Sequence, residues 1–191
     1  MPFTFRHLDL PGVVLVEPRI FVDPRGWFME TFKQTDFAGQ GIAGPFVQEN
    51  QSLSQTGTLR GLHFQRPPKA QGKLVRVLVG EIFDVAVDLR HDAPTCGQWT
   101  GVTLSAANRQ SLYVPPWCAH GFFVTAGPAE VVYLTTDEYS APHEDGVLWN
   151  DPRVGIQWPG EPEFLADRDR QWPAFEPAEW TTKHQNGDDT L

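Results

Sequence analysis

The chain is predicted to be all-β, a jelly-roll sandwich or barrel with a few short peripheral helices. Three observations predict it: short apolar runs rich in Val, Ile, Phe and Tyr, the Gly, Pro and Asp residues that punctuate them, and the regular spacing at which they recur. With 191 residues, 40% of them hydrophobic, the chain is long enough for one domain with one good core. That domain is expected over 1–180, with a polar tail at 181–191 that should fray.

Along the chain, strands are expected near 13–19, 28–32, 46–54, 58–65 and 73–79, then near 80–89, 99–104, 110–114, 121–125 and 130–136. Val79-Gly80-Glu81 reads as a tight hairpin, and Val114-Pro115-Pro116-Trp117 should end a strand, since proline cannot donate to a ladder. Thr35-Asp36-Phe37 marks a short helix. The stretch from Trp158 to Trp180, dense in Pro, Trp and acidic residues, should wrap the surface as loops and short helices.

Composition excludes several classes. A formal net charge of -9 argues against nucleic-acid binding, although a few cations can still dominate one cleft. Two cysteines, Cys96 and Cys118, are too few for a disulfide scaffold and lack zinc-type spacing. No apolar run approaches the roughly 20 residues needed to span a bilayer. The first residues do not read as a secretory leader, so the cytoplasm is the expected compartment.

The chemistry concentrates in Leu59-Arg60-Gly61-Leu62-His63-Phe64-Gln65 and Gln71-Gly72-Lys73-Leu74-Val75-Arg76-Val77. An imidazole beside fixed cations is what proton abstraction next to a carbonyl requires. A strand histidine is by itself often only a hydrogen-bonded residue, but a lysine in an apolar run is costly to bury unless paired or used. Strand parity puts Gly61, His63 and Gln65 on one face, and Ile82, Asp84, Ala86 and Asp88 on one face of the later run. The opposing residues Phe83, Val85, Val87 and Leu89 should fill a core, while the first sets line a cavity holding His63 and Asp84. His120, after the Pro-Pro turn, is placed to face that cavity. Tyr133 has both a packing and a catalytic reading.

These stretches, with Asp23-Pro24-Arg25-Gly26-Trp27-Phe28-Met29-Glu30, Phe46 to Ser52, Val114 to Phe122 and Tyr133 to Asp151, resemble the dTDP-4-dehydrorhamnose 3,5-epimerase family, a metal-free branch of the cupin superfamily. The resemblance runs from about Phe5 to Phe175. It implies a cupin-type jelly roll in which His63 accepts a proton, Tyr133 donates one, and Asp169 pairs with the histidine. The family stretch usually reads Ser-Glu-Lys-Asp; here it is Ala166-Asp167-Arg168-Asp169, which leaves Asp167 as a second candidate. Lys73 and Arg60 would contact the sugar near its C4 oxygen, and His120 would help bind it. Arg25, Phe28, Glu30, Gln48, Asn50 and Glu144 match nucleotide-sugar contacts, and Tyr139 matches the residue that stacks on thymine.

The implied reaction is epimerisation at C3 and C5 of dTDP-4-dehydro-6-deoxy-D-glucose, with no cofactor, by a homodimer that exchanges N-terminal strands. The alternatives are an epimerase acting at C3 or C5 alone and a non-catalytic nucleotide-sugar-binding jelly roll. Metal-binding cupins often use a His-x-His pair, which reads His63-Phe64-Gln65 here. With Lys73 nearby and too few ligands, no metal is expected.

Overall fold

Two long strands organise the molecule. The computed structural model describes residues 2–42 and 44–177; the expected tail at 181–191 lies outside them. Its elements are β1 (Phe3–His7), β2 (Val14–Pro18), β3 (Phe21–Asp23), β4 (Gly26–Phe28), α1 (Gln34–Ala38), β5 (Gln48–Ser54), β6 (Thr58–Gln65), β7 (Lys73–Asp88), β8 (Trp99–Ser105), β9 (Ser111–Val114), β10 (Cys118–Thr135), β11 (Glu144–Gly146), β12 (Phe164–Leu165) and α2 (Asp167–Arg170).

The hairpin expected at Val79-Gly80-Glu81 does not form; β7 runs through it as one strand. Gly80 has φ +77°, and a Cβ there would lie 2.5 Å from the Ala126 carbonyl oxygen. The glycine therefore bends the strand, in step with β10, whose pairing to β7 shifts register between Val124 and Val131. For the same reason the two strands expected over 121–125 and 130–136 are halves of β10.

The bend lets each long strand serve two partners. β7 pairs with β9 through Lys73–Arg76 and with β8 through Glu81–Val87. β10 pairs with β5 through Ala129–Thr135 and with β6 through His120–Phe123. The ten-stranded sheet thus folds over into two halves. One runs β1-β2-β9-β7-β10-β5; the other is β8-β7-β10-β6-β11, with β12 also on β6.

The main core draws on both halves: Val75, Val77 and Leu112 from the first, Ile82, Ala86 and Leu104 from the second. Each half also buries an apolar cluster of its own. Phe37 of α1 packs edge-on against Phe3, Phe5 and Phe32 beside Val14, Val16 and Leu74. Leu62, Val85, Val87 and Leu89 pack with Val147, Val154 and Phe175 of the C-terminal wrap. Apart from half-buried Phe83, both residue sets of the run from Ile82 to Leu89 are therefore buried, which is what a strand inside a layered fold requires.

The expected strand at 28–32 ends at Phe28, and Phe32 packs on Phe37 and Phe46. Four short strands, β1, β3, β11 and β12, were not expected. Glu144-Asp145-Gly146 carries no apolar signal at all and is a strand only because it pairs with Gln65, Phe64 and His63. Both cysteines are free, and no helix among the described residues is long and apolar enough to cross a membrane.

Candidate active site

Strand β6 carries the histidine expected to act as the base. Gly61 has φ +137°, and a Cβ there would stand 2.6 Å from the Gly121 Cα, so only glycine allows β6 and β10 this approach. Two residues on, His63 Nε2 lies 2.7 Å from Asp169 Oδ1. Asp169 is 2% exposed and comes from α2. Its carboxylate also accepts the Gly61 N–H and the Trp172 indole N–H, each at 3.3 Å. Burial pushes the Asp169 carboxyl up, but those donors and the imidazole outweigh it and hold it below the usual carboxylate range. For His63, burial dominates and lowers its pKa below the usual 6.5; Asp169 opposes this, while Lys73 and Arg168 add to it. With Nε2 held by the carboxylate, Nδ1 is the nitrogen left to act as a base.

The other half of the folded sheet supplies Lys73 from β7 and Tyr133 from β10. Lys73 is 9% exposed, and its Nζ donates to the His63 carbonyl at 3.2 Å. Burial pushes it down to about 8, with Asp84 and Glu144 opposing. Burial raises the Tyr133 phenol, so it keeps its proton. His63, Lys73 and Tyr133 line one cleft of about 310 Å³, together with Gln48, Asn50 and Gln71. The imidazole and the phenol therefore reach it from different halves.

The mouth of the cleft is a hydrogen-bonded chain. Arg168 Nη1 donates to both Glu144 oxygens at 2.9 Å. The Tyr139 hydroxyl donates to Glu144 Oε2 at 2.8 Å, and its backbone N–H to Gln48 Oε1 at 2.8 Å. Gln48 in turn donates to Asn50 at 2.9 Å. Tyr139 stays 54% exposed, so its ring is free to be covered.

Other expected site residues lie elsewhere. Arg60 opens on a neighbouring cavity of about 360 Å³ that also reaches His63 and Asp169, and it donates to Ser54 at 2.9 Å. His120 is buried and bonded to Asp84 at 2.7 Å, so the cavity expected to hold both His63 and Asp84 shows only His63 at its surface. Arg25 pairs with Asp23 at 2.6 Å, and Phe28 is 64% exposed, both on the β3–β4 hairpin. Glu30 lies just beyond it, and none of the three lines the cleft of this chain. Asp167 is exposed, and Asp169 alone meets the histidine.

Gln65, at the position of the second histidine in a His-x-His pair, donates to the Lys69 carbonyl at 2.6 Å and accepts from the Ser140 N–H at 2.7 Å. It anchors loops. Among the described residues no three His, Cys, Asp or Glu side chains converge as a metal site needs. Gln71, Arg168 and Trp172 join the site without any role expected from the sequence. Arg168 had a signal, a cation adjoining the dyad aspartate; Trp172 had none, because only the turn after α2 brings it there.

Comparison with known proteins is consistent along the chain. A family model described as dTDP-4-dehydrorhamnose 3,5-epimerase matches residues 7–177. A dTDP-4-dehydrorhamnose 3,5-epimerase of Shigella flexneri is 48% identical over 173 residues, covering 90% of this chain and 96% of that protein. The crystal structure of a 3,5-epimerase from Legionella pneumophila with dTDP-4-keto-L-rhamnose superposes with TM-score 0.87 at 41% identity, covering 91% and 93% of the two chains. A 3′-monoepimerase from Streptomyces bikiniensis, solved with dTDP-quinovose, gives TM-score 0.83 at 34% identity over 90% and 88%.

Proposed function

Because the chain belongs to the dTDP-4-dehydrorhamnose 3,5-epimerase family, we propose that it inverts C3 and C5 of dTDP-4-dehydro-6-deoxy-D-glucose to give dTDP-4-dehydro-L-rhamnose. One observation carries this reading: an imidazole held by a buried aspartate and a phenol enter one cleft from different halves of the sheet, with the buried Lys73 amine bonded to the His63 carbonyl beside them. Both carbons flank the C4 ketone. His63 removes a proton from each in turn, leaving an enolate with its charge on the C4 oxygen. Tyr133 returns a proton to the opposite ring face. A single base would return it only to the side it left, so inversion needs the second group.

The demand on the site is large. A ketone α-proton is less acidic than imidazolium by on the order of ten pK units, each worth about 1.4 kcal/mol. One oxyanion donor supplies roughly 3–4 kcal/mol, so Lys73 needs the help of water exclusion and of Arg60, whose charge stands in the neighbouring cavity that shares His63. Asp169 orients the imidazole and stabilises its protonated form. The net reaction moves only protons and needs no redox cofactor. Gln48, Asn50 and Glu144 hold the nucleotide-sugar and Tyr139 stacks on the base, while His120, buried against Asp84, backs the sugar end from behind the cleft without touching it.

The protein acts as a homodimer in this reading. Phe21, Val22, Trp27 and Phe28 leave a hairpin of exposed apolar side chains, which supports burial against a second copy. Arg25, Phe28 and Glu30 then contribute to nucleotide binding from that hairpin. Size-exclusion chromatography with light scattering tests the dimer; a monomer would refute it.

The activity is tested by incubating the protein with dTDP-4-dehydro-6-deoxyglucose in deuterated water, with and without chelator, and reading C3 and C5 by NMR. Deuterium at both carbons supports the double epimerase. Deuterium at one supports the mono-epimerase reading, which the likeness to the S. bikiniensis enzyme keeps in view. Deuterium at neither leaves a binding module, and sensitivity to chelator overturns the metal-free mechanism.

A further inference from the structure

Behind the cleft, Asp84 is wholly buried on β7, the strand that carries Lys73. Its Oδ1 lies 2.7 Å from His120 Nε2, while Oδ2 is buried with no hydrogen-bond partner among the described residues. A carboxylate oxygen left unmatched in a core is costly, and folds remove such groups unless another charge answers them. The cation in reach of its field is Lys73, whose single hydrogen bond among the described residues goes to a neutral carbonyl. The two charges are not in salt-bridge contact; Lys73 Nζ holds the His63 carbonyl, His63 faces His120 across β6 and β10, and His120 holds Asp84. Their coupling runs through a buried part of the fold, where solvent screens charges less than at the surface.

We infer that Asp84 is a positioning residue of this site: it fixes His120 through one carboxylate oxygen and with the other keeps the Lys73 ammonium charged in a buried setting. The inference rests on the reading of Lys73 as the group facing the C4 oxygen. Burial alone would drive Lys73 toward the neutral amine, which cannot stabilise an oxyanion. Asp84 is the strongest charge opposing that loss, ahead of Glu144 on β11. The other polar groups around Lys73 are the His63 carbonyl and imidazole on β6 and the Tyr133 phenol on β10, with Arg168 of α2 lining the same cleft. None of these supplies a negative charge while Tyr133 keeps its proton. His120 enters only through Asp84.

Direct titration of Lys73 tests this without relying on turnover. The chain has four lysines, Lys33, Lys69, Lys73 and Lys183, so lysine labelled with ¹³C at Cε gives few signals, and Lys73→Gln assigns the one of interest. In the native protein that signal should titrate near 8. In Asp84→Asn, where the amide oxygen can still accept from His120, the midpoint should fall by about one pH unit or more. Asp84→Ser serves if the asparagine variant does not fold. A midpoint that stays put in a folded neutral variant overturns the inference, since a purely structural role would not move it. If the native protein shows no exchange at C3 or C5, the epimerase reading fails while the titration still decides the role of Asp84.

Discussion

His63 and His120 lie opposite one another across β6 and β10, and each imidazole stands 2.7 Å from its own buried aspartate, Asp169 and Asp84 respectively. The two pairs look alike and are placed differently. The first opens on the cleft, with its histidine side chain 23% exposed; the second is sealed, with its histidine side chain 8% exposed. A proton acceptor must reach substrate, so of the two it is His63 that is placed to serve as the base of the proposed reaction.

Replacing His63 with Ala should abolish deuterium exchange at both carbons, since a positioned general base contributes about 10²–10⁴-fold. NMR in deuterated water measures it. Exchange persisting at one carbon would reveal a second base and refute the single-base assignment.

Tyr133→Phe should leave proton removal largely intact and slow its return. Epimerisation is then expected to fall more than exchange, when both are followed in the same NMR time course. Equal losses would count against the phenol as the opposing acid.

The pH dependence of kcat/KM should be bell-shaped. His63 must be neutral, so activity is lost as pH falls through its lowered pKa, placing the acid limb below 6.5. Lys73 must be charged, so activity is lost as pH rises through about 8. Tyr133, raised above its ordinary 10, keeps its proton across this window. Lys73→Arg should remove the alkaline limb, because guanidinium does not titrate there; an unchanged limb would assign it to another group.

Arg168→Gln removes the Nη1 contact shared by both Glu144 oxygens and loosens the support of Tyr139. Steady-state kinetics should show KM rising several-fold with kcat nearly unchanged. The pair is partly exposed and worth about 0–1 kcal/mol to stability, so the melting temperature should barely move. A fall in kcat with KM constant would instead place Arg168 in the chemical step.

Gly61→Ala forces a methyl group into the Gly121 backbone at a positive φ. A loss of about 1–3 kcal/mol is expected from the overpacking alone, read by chemical denaturation. Stability unchanged from the native protein would show that the two strands can separate freely.

The strand over Thr58–Gln65, the break at Pro115-Pro116 and the helix around Phe37 were legible because each depends on local chemistry: alternation, a missing donor, a short amphipathic turn. That His63 and Lys73 belong near one another was also legible from residue type and motif spacing, whereas Tyr133, open to a packing or a catalytic reading, was pointed to only by the family resemblance; all three line one cleft. What Gly80 does was not legible. A glycine with positive φ between apolar runs signals a turn, and whether the chain reverses or bends depends on the partner strand, here the matching irregularity of β10. β11 and Trp172 were hidden for the same reason, since pairing with β6 and the turn after α2 are long-range events.

The sequence by itself determined the strand-rich class, the dyad histidine and the cation beside it, because propensity and residue chemistry are local properties. Only the tertiary structure decided that Asp169 and not Asp167 meets His63, that Asp84 belongs behind Lys73, and that the imidazole and phenol come from different halves of one sheet. Those facts depend on where a sheet folds over. That fold is set by packing between residues far apart in the chain, whose contacts no single stretch encodes.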